Sequence, residues 1–161
     1  MTRLINRALL DELTAEAKAN PRLRKNRNFH RADDDPAHRL LNAAEPGSYI
    51  APHRHLDPRK DESLFILRGC MGLVTFDDAG VIVKTALLSA AGECCGVDIP
   101  HGEWHTFVAL EAGTVIFEAK AGPYLPLAAA ERAPWAPAEN DANAGEYLAR
   151  LERIFSGLAP T

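Results

Sequence analysis

Short apolar runs separated by turn residues at regular intervals are the feature that most constrains the fold of this 161-residue chain. The turns are rich in glycine, proline and aspartate, as in Pro46-Gly47 and in the stretch 77–80. About eight short strands punctuated in this way indicate an all-β barrel or sandwich. The predicted strands lie at residues 28–31, 37–43, 48–55, 62–68, 71–76, 81–88, 93–99, 105–110 and 114–120.

The N-terminal segment predicts a helix over residues 6–19. Asn6 suits the N-cap position because its side chain can accept a hydrogen bond from the first turn, and Asn20-Pro21 ends the helix. The basic stretch 22–27 that follows is interpreted as a solvated connector. The apolar stripe of the helix consists of Leu9, Leu10, Leu13 and Ala17.

The C-terminal segment predicts a proline- and alanine-rich wrap over residues 121–141, followed by a second helix. Asn143 with Glu146 resembles a capping box at the start of that helix. Runs 64–67 and 115–117 are apolar on both faces, so a helix, a second subunit or both must cover the outside of the sheet. The stripe of the second helix consists of Tyr147, Leu148, Leu151, Ile154, Phe155 and Leu158.

Length and composition fit one domain, with an N-terminal helix and connector (1–26), a barrel (27–124) and the wrap with the C-terminal helix (125–161). The net charge of −4 gives no general basic surface, so nucleic acid is not expected as a partner. No apolar stretch approaches the ~20 residues of a membrane span, so no membrane contact is expected. The charged start does not resemble a signal peptide, and three cysteines make a poor disulfide framework, which together predict a cytoplasmic location.

Four side chains form a pattern that predicts a metal site. His53 and His55 are two residues apart in a predicted strand, so both leave the same face. Glu62 is the first residue of the next predicted strand, after the Asp57-Pro58 turn, and His105 is the first residue of a later one that follows a Pro/Gly turn. Three imidazoles and a carboxylate suit one divalent transition metal ion (Fe, Mn, Ni, Co or Zn) if the strands close on one another.

These residues resemble the two sequence motifs of the cupins. In the first motif, two glycines frame the first three ligands, and the second motif contains Pro100, Gly102 and His105. The chain departs from the pattern by its six residues between His55 and Glu62, and by Ala109, where asparagine is usual. The first motif is matched by Gly47, His53, His55, Glu62 and Gly69.

More narrowly, the chain resembles the WbuC family of cupin-fold metalloproteins over most of its length, to about Tyr124. The resemblance implies a mainly β, single-domain cupin (a double-stranded β-helix, or jelly-roll barrel) with a helix at each end. It also implies a metal held by the four predicted ligands. Members of that family often lie among genes for bacterial surface polysaccharide. The matching segments are 28–30, 39–40, 46–49, 52–55, Lys60 with Glu62, and 122–124.

Strand periodicity nominates Tyr49, Lys60 and Arg39 as candidate catalytic residues around the metal. Tyr49 is an even number of residues from His53 and so should face the same side of the strand. Lys60 should face the same side as Glu62 if the strand that contains Glu62 begins as early as residue 60. Lys60 would bind an anionic substrate or act as an acid or base, the alternative being a solvated turn lysine. Arg39 would pair with a substrate carboxylate or phosphate, or with an acidic residue. Phe107 is expected to form an apolar wall of the pocket.

The leading functional hypothesis is an enzyme of the isomerase, epimerase or lyase type. Its substrate would be a small oxygen-rich anion, such as a sugar or nucleotide-sugar intermediate of surface polysaccharide. An iron-dependent dioxygenase and a non-enzymatic small-molecule binding or regulatory module are the alternatives. The apolar sheet faces and the amphipathic second helix predict a homodimer.

Overall fold

The computed structural model describes residues 1–158 as two antiparallel sheets with a helix at each end of the chain. Strands β1 Arg24–Asn28, β2 Ala37–Ala44, β8 Thr114–Ala121, β3 Glu62–Arg68 and β6 Gly96–Ile99 form one sheet in that order. Strands β5 Ile82–Ser89, β4 Cys70–Phe76 and β7 Trp104–Ala109 form the other. The helices are α1 Arg7–Ala19 and α2 Ala144–Ile154, and a short 3-10 helix spans Ala129–Glu131. Within residues 1–158, no helix combines the length and the apolar character that crossing a membrane requires.

The two sheets pack face to face and enclose an apolar lumen. Alternation along β3 shows the arrangement, because Leu64 and Ile66 are buried inside whereas Phe65 and Leu67 are exposed outside. Burial of this core supplies the main stabilisation of the barrel. The lumen core consists of Ala44, Leu64, Ile66, Met71, Leu73, Leu88, Ile99, Phe107, Ala109 and Ile116.

Helix α1 covers the outside of the five-stranded sheet, as its apolar stripe predicts. The Asn6 side chain accepts a hydrogen bond from the Leu9 backbone nitrogen at 3.0 Å, which confirms Asn6 as the N-cap. On the inner face of the helix, Leu10, Leu13 and Ala17 pack against the outer face of β2 and β8. Their partners on the sheet are Leu41, Ala43 and Val115.

Helix α2 covers the three-stranded sheet. Leu148, Leu151 and Phe155 are buried against Val74 and Val108 of the barrel, so the apolar stripe is covered by its own chain. The predicted capping box does not form. Asn143 has helical backbone angles and makes no side-chain cap, while the Asp141 carboxylate accepts from the Asn143 nitrogen at 2.8 Å. Leu158 is exposed rather than part of the buried stripe, and the last residues of the predicted tail, 159–161, lie outside the described ones.

Three sequence-based predictions about strands are wrong. Of the strand predicted at residues 28–31, only Asn28 belongs to a strand. The basic stretch interpreted as a connector contains β1, which pairs with β2 from Arg24 opposite Ala44 to Asn28 opposite Leu40. Residues 48–55 form an extended segment rather than a strand, with isolated bridges from His53 to His105 and to Arg132. Pro52 has no N–H to donate to a ladder, which keeps this segment from pairing continuously.

Candidate metal centre

The four predicted ligands come together in the lumen. The backbone of His53 bonds that of His105 in both directions, with N–O distances of 3.0 and 2.9 Å, and so fixes the irregular segment beside β7. The ring centroid of His53 lies 4.6 Å from that of His105 and 5.5 Å from that of His55. Glu62 enters from the first position of β3, with 5% of its side chain exposed. Three chain segments thus bring three imidazoles and one carboxylate to one buried place.

Two of the imidazoles are oriented by backbone carbonyl groups. His53 Nδ1 lies 3.0 Å from the Ala51 oxygen, and His105 Nδ1 lies 2.9 Å from the Glu103 oxygen. Because a carbonyl oxygen can only accept, Nδ1 of each ring carries the hydrogen of that bond. Metal-binding histidines are commonly held by such bonds, which set the tautomer and the ring orientation.

The donor atoms are of the type that a transition metal ion accepts, although their present arrangement is not that of a metal site. Nε2 of His55 and Nε2 of His105 are buried and make no aligned hydrogen bond, although they lie 2.9 and 3.4 Å from Glu62 oxygens. Burial, followed by the nearby His105, lowers the pKa of His53 to about 3, so its imidazole is neutral, as a ligand must be. Among residues 1–158, no group of three or more His, Cys, Asp or Glu side chains is already disposed around one point as a metal would require. The Glu62 carboxylate instead lies between the two imidazoles and bonds to a lysine.

That lysine is Lys120, a residue that the sequence reasoning missed. Its Nζ donates to Glu62 Oε1 at 2.6 Å and lies 2.7 Å from Glu118 Oε1. The Asn42 amide nitrogen donates to the other Glu118 oxygen at 2.6 Å, so the network continues across β8 to β2. Glu62 and Lys120 are direct cross-strand neighbours. The alternation of side chains along β8 could have predicted the position of Lys120, because Glu118 and Lys120 lie on the same lumen face as Ile116.

The network fixes the charge of the centre. Burial alone would raise the pKa of Glu62, but the His105 and His55 nitrogens and the Lys120 ammonium outweigh it and hold that pKa well below its usual range. Burial alone would lower the pKa of Lys120, but the Glu118 and Glu62 carboxylates outweigh it and raise that pKa. At neutral pH Glu62 is therefore a carboxylate and Lys120 an ammonium group.

The three candidate catalytic residues lie elsewhere. Arg39 is exposed on the outer face of β2, opposite Ala119. The side chains of this strand alternate, and Asn42 is one of those that face the lumen, so Arg39 faces outward. The Tyr49 hydroxyl donates to the Pro137 oxygen at 2.8 Å in the cluster beneath α2, and burial raises the pKa of Tyr49. The placement of these two in the lumen is therefore wrong.

Lys60 precedes β3 and does not continue the alternation of that strand. It is buried, and its Nζ donates to the Pro123 oxygen at 2.8 Å. It lines a side cavity of about 210 Å³ that His53 and His55 also line. Phe107 lies in the lumen as expected, with its ring 5.9 Å from that of His105.

The candidate centre opens into a cavity of about 360 Å³. His53, Glu62 and His105 line it together with Glu118 and Lys120. The apolar part of the wall consists of Ala43, Ala44, Ile50, Leu64, Met71, Phe107 and Ile116. The side of the cavity at β1 is lined by the basic residues Arg22, Arg24 and Lys25. A small polar ligand with negative charge fits such a cavity better than an apolar one.

Comparison with known proteins gives a family and a fold. The sequence profile of the family described as a domain of unknown function (DUF6016) matches residues 5–88. Curated protein sequences give no match.

Three solved structures resemble the chain. A conserved protein of unknown function from Streptococcus pyogenes is 13% identical, with 78% of this chain and 91% of that chain covered and a TM-score of 0.52. KdgF from Halomonas sp. is 17% identical, with 64% and 82% covered and a TM-score of 0.50. The capsular polysaccharide assembling protein CapF from Staphylococcus aureus is 18% identical, with 63% and 28% covered and a TM-score of 0.50. Likeness at these identities concerns the fold, and the predicted cupin fold with a helix at each end is confirmed.

Proposed function

The chain belongs to the family described as a domain of unknown function (DUF6016), and we propose that it is a metal-dependent enzyme acting on a small oxygen-rich anion. The observation that carries the proposal is the convergence of His53, His55, Glu62 and His105 beside a cavity that a cation, Lys120, also lines. A Lewis acid beside an ammonium group suits a ligand rich in oxygen and negative charge.

The four converging residues would hold one divalent transition metal ion, whether Fe, Mn, Ni, Co or Zn. Such an ion, when bound, polarises a carbonyl or acidifies a water molecule. The carboxylate and the neutral imidazoles provide the mixed oxygen and nitrogen donors that these ions accept. The chain then contributes the orientation of each ring through the carbonyl groups of Ala51 and Glu103.

Lys120 is the residue of the chain best placed to bind the substrate. An ammonium group has three donors; Glu62 accepts from one of them, and Glu118 Oε1 lies 2.7 Å away as an ion-pair partner. Lys120 therefore keeps a donor for a substrate oxygen in the cavity that it lines. The neighbouring apolar wall around Leu64 and Phe107 keeps water away, which strengthens each charged contact inside.

Isomerisation, epimerisation or lyase chemistry on a sugar or nucleotide-sugar intermediate is the reaction class that we favour. The resemblance to the WbuC family supports it, since members often lie among genes for bacterial surface polysaccharide. The fold likeness to CapF, described as a capsular polysaccharide assembling protein, points the same way.

Turnover of sugar acids and sugar phosphates by the purified protein, followed by NMR at known metal content, tests this proposal. Lys120→Met is expected to lower kcat/KM by about tenfold or more because a charged hydrogen bond to the substrate is lost. Lys84→Met, at an exposed position on β5, is the matched control, and Lys120→Arg keeps the charge if the methionine variant unfolds.

Three outcomes would contradict the proposal. Equal kcat/KM for Lys120→Met and Lys84→Met would remove Lys120 from substrate binding. Oxygen uptake by an iron-loaded protein would favour a dioxygenase. Saturable binding without turnover would favour a binding or regulatory module.

We also propose that the protein forms a homodimer through the outer face of the five-stranded sheet. The apolar face of α2 packs on the barrel of the same chain and is not free to bind a second subunit. The proposal therefore rests on the exposed apolar side chains of the sheets. Phe65 is 51% exposed and lies beside Leu67 on the outer face of β3. A second patch on the other sheet contains Val81, Ile82 and Val83.

Sedimentation at micromolar concentration is expected to give a dimer, and Phe65→Lys is expected to shift it to monomer because a buried charge is costly. Val83→Lys tests the second patch in the same way and is expected to leave the dimer intact. A monomeric wild-type chain would contradict the proposal, and dissociation by Val83→Lys alone would place the contact on β5.

A further inference from the structure

We infer that the side of the cavity at β1 is a phosphate-binding site, built by Arg22 and Arg24. These two residues are called the entrance cations below. The inference deepens the proposed function and rests on it in one respect, the assignment of the ligand as the substrate of the metal centre. If the inference is correct, the substrate contains a phosphoryl group.

A carboxylate already occupies the position of the anion. Glu139, in the segment between β8 and α2, forms ion pairs with both arginines of the entrance. Its Oε2 lies 3.0 Å from Arg22 Nη2, and its Oε1 accepts from Arg24 Nη2. Two guanidinium groups that line the cavity therefore converge on one anionic group, which is the arrangement that binds carboxylate and phosphate in proteins.

Arg24 is held rigidly in this position. Only 18% of its side chain is exposed, and its Nη1 donates to the Tyr49 backbone oxygen at 2.8 Å. Burial is the main cause that lowers the pKa of Arg24, and the adjacent Arg22 adds to it, whereas Glu139 opposes both. A guanidinium that is desolvated beside a second one gains from any anion placed between them.

The charges at the entrance do not balance. Glu139 carries one negative charge against the positive charges of Arg22 and Arg24, which leaves an excess of one positive charge. Lys25 does not add to it, because its cross-strand partner Ala43 packs against α1 on the other face of the sheet. A phosphate group that displaces Glu139, with about −1.5 to −2 charges and three acceptor oxygens at neutral pH, balances both guanidinium groups, which one carboxylate does not.

The entrance cations and the metal centre share one cavity. Arg22 and Arg24 line the same space of about 360 Å³ as His53, Glu62 and His105. This volume is near the lower end of the roughly 300–1,000 Å³ that small-molecule sites occupy. It favours a phosphorylated monosaccharide over a nucleotide sugar, with the phosphate at the entrance and the sugar oxygens near the centre.

Calorimetric titration of the purified protein with inorganic phosphate tests the inference through two variants of opposite effect. Glu139→Gln removes the competing carboxylate and is expected to tighten phosphate binding by about fivefold. Arg22→Gln removes the more exposed of the two entrance cations and is expected to weaken it by about fivefold. Glu93→Gln and Arg153→Gln, at exposed positions without a side-chain partner in residues 1–158, are the matched controls for charge.

Equal phosphate affinity in Glu139→Gln, Glu93→Gln and the wild type would overturn the inference. Phosphate bound at the metal would give that same result, since the entrance variants do not alter the ligands. A hexose phosphate is expected to bind more tightly than inorganic phosphate or a nucleoside diphosphate. Tightest binding of the nucleoside diphosphate would overturn the assignment to a monosaccharide.

Metal content and turnover of the same preparations separate this inference from the proposed function. If the entrance variants shift phosphate affinity but the protein contains no metal and turns over no substrate, the phosphate site is supported and the proposed enzyme is refuted. If the protein contains metal and turns over substrate, but no entrance variant changes phosphate affinity or turnover, the proposed enzyme is supported and the phosphate site is refuted.

Discussion

Replacing His53 and His55 together by alanine is expected to reduce the metal content of the protein from about one ion per chain to background. The two imidazoles are half of the converging donor set, and a site with two remaining donors holds a divalent ion weakly. Elemental analysis of the purified protein, after dialysis against metal-free buffer, measures the change.

His101→Ala is the matched control for this prediction. His101 is partly exposed and bonds to Asp61 at 2.9 Å, apart from the four ligands, so its loss is expected to leave the metal content unchanged. Circular dichroism of each variant establishes that the fold is retained. Full metal occupancy in the double variant would place the metal site elsewhere in the chain.

Truncating Phe155 to alanine is expected to lower the free energy of unfolding by about 3–5 kcal/mol. Its ring is 4% exposed and packs so closely on β4 that a Cβ added to Gly72 would overlap it. Removing the ring leaves a cavity between α2 and the three-stranded sheet, because glycine has no side chain that could fill it.

Urea unfolding of the Phe155→Ala variant measures this loss, and Leu158→Ala is the comparison. Leu158 belongs to the same sequence stripe but is 55% exposed, so its truncation is expected to change the free energy by less than about 0.5 kcal/mol. Similar losses at the two positions would show that α2 is not held to the barrel by Phe155.

The sequence allowed most of the barrel to be predicted because its strands are short, apolar and separated by clear turns. Strand β3 begins and ends where its apolar run does, from Glu62 to Arg68. Strand β1 escaped prediction because its residues are mostly basic and polar, and only pairing with β2 makes them a strand. Tertiary pairing thus outweighed local composition there.

The convergence of the four predicted ligands could be predicted from their spacing in the sequence. The residues around them could not be predicted in this way. Tyr49 was placed in the lumen by assuming continuous alternation through residues 48–55, which an irregular segment containing Pro52 does not keep. Arg39 was placed there without knowledge of which parity of β2 faces α1. Lys120 lies far from the ligands in sequence, and only the pairing of β3 with β8 puts it opposite Glu62.

The ion pair between Lys120 and Glu62 has a consequence for how the chain folds without a metal. A buried carboxylate without a partner is costly, and in many small metalloproteins the metal must arrive before the fold is stable. Here an ammonium group supplied by the chain itself balances Glu62. The barrel is therefore expected to fold on its own, and the proposed metal ion would be selected by a barrel that is already formed.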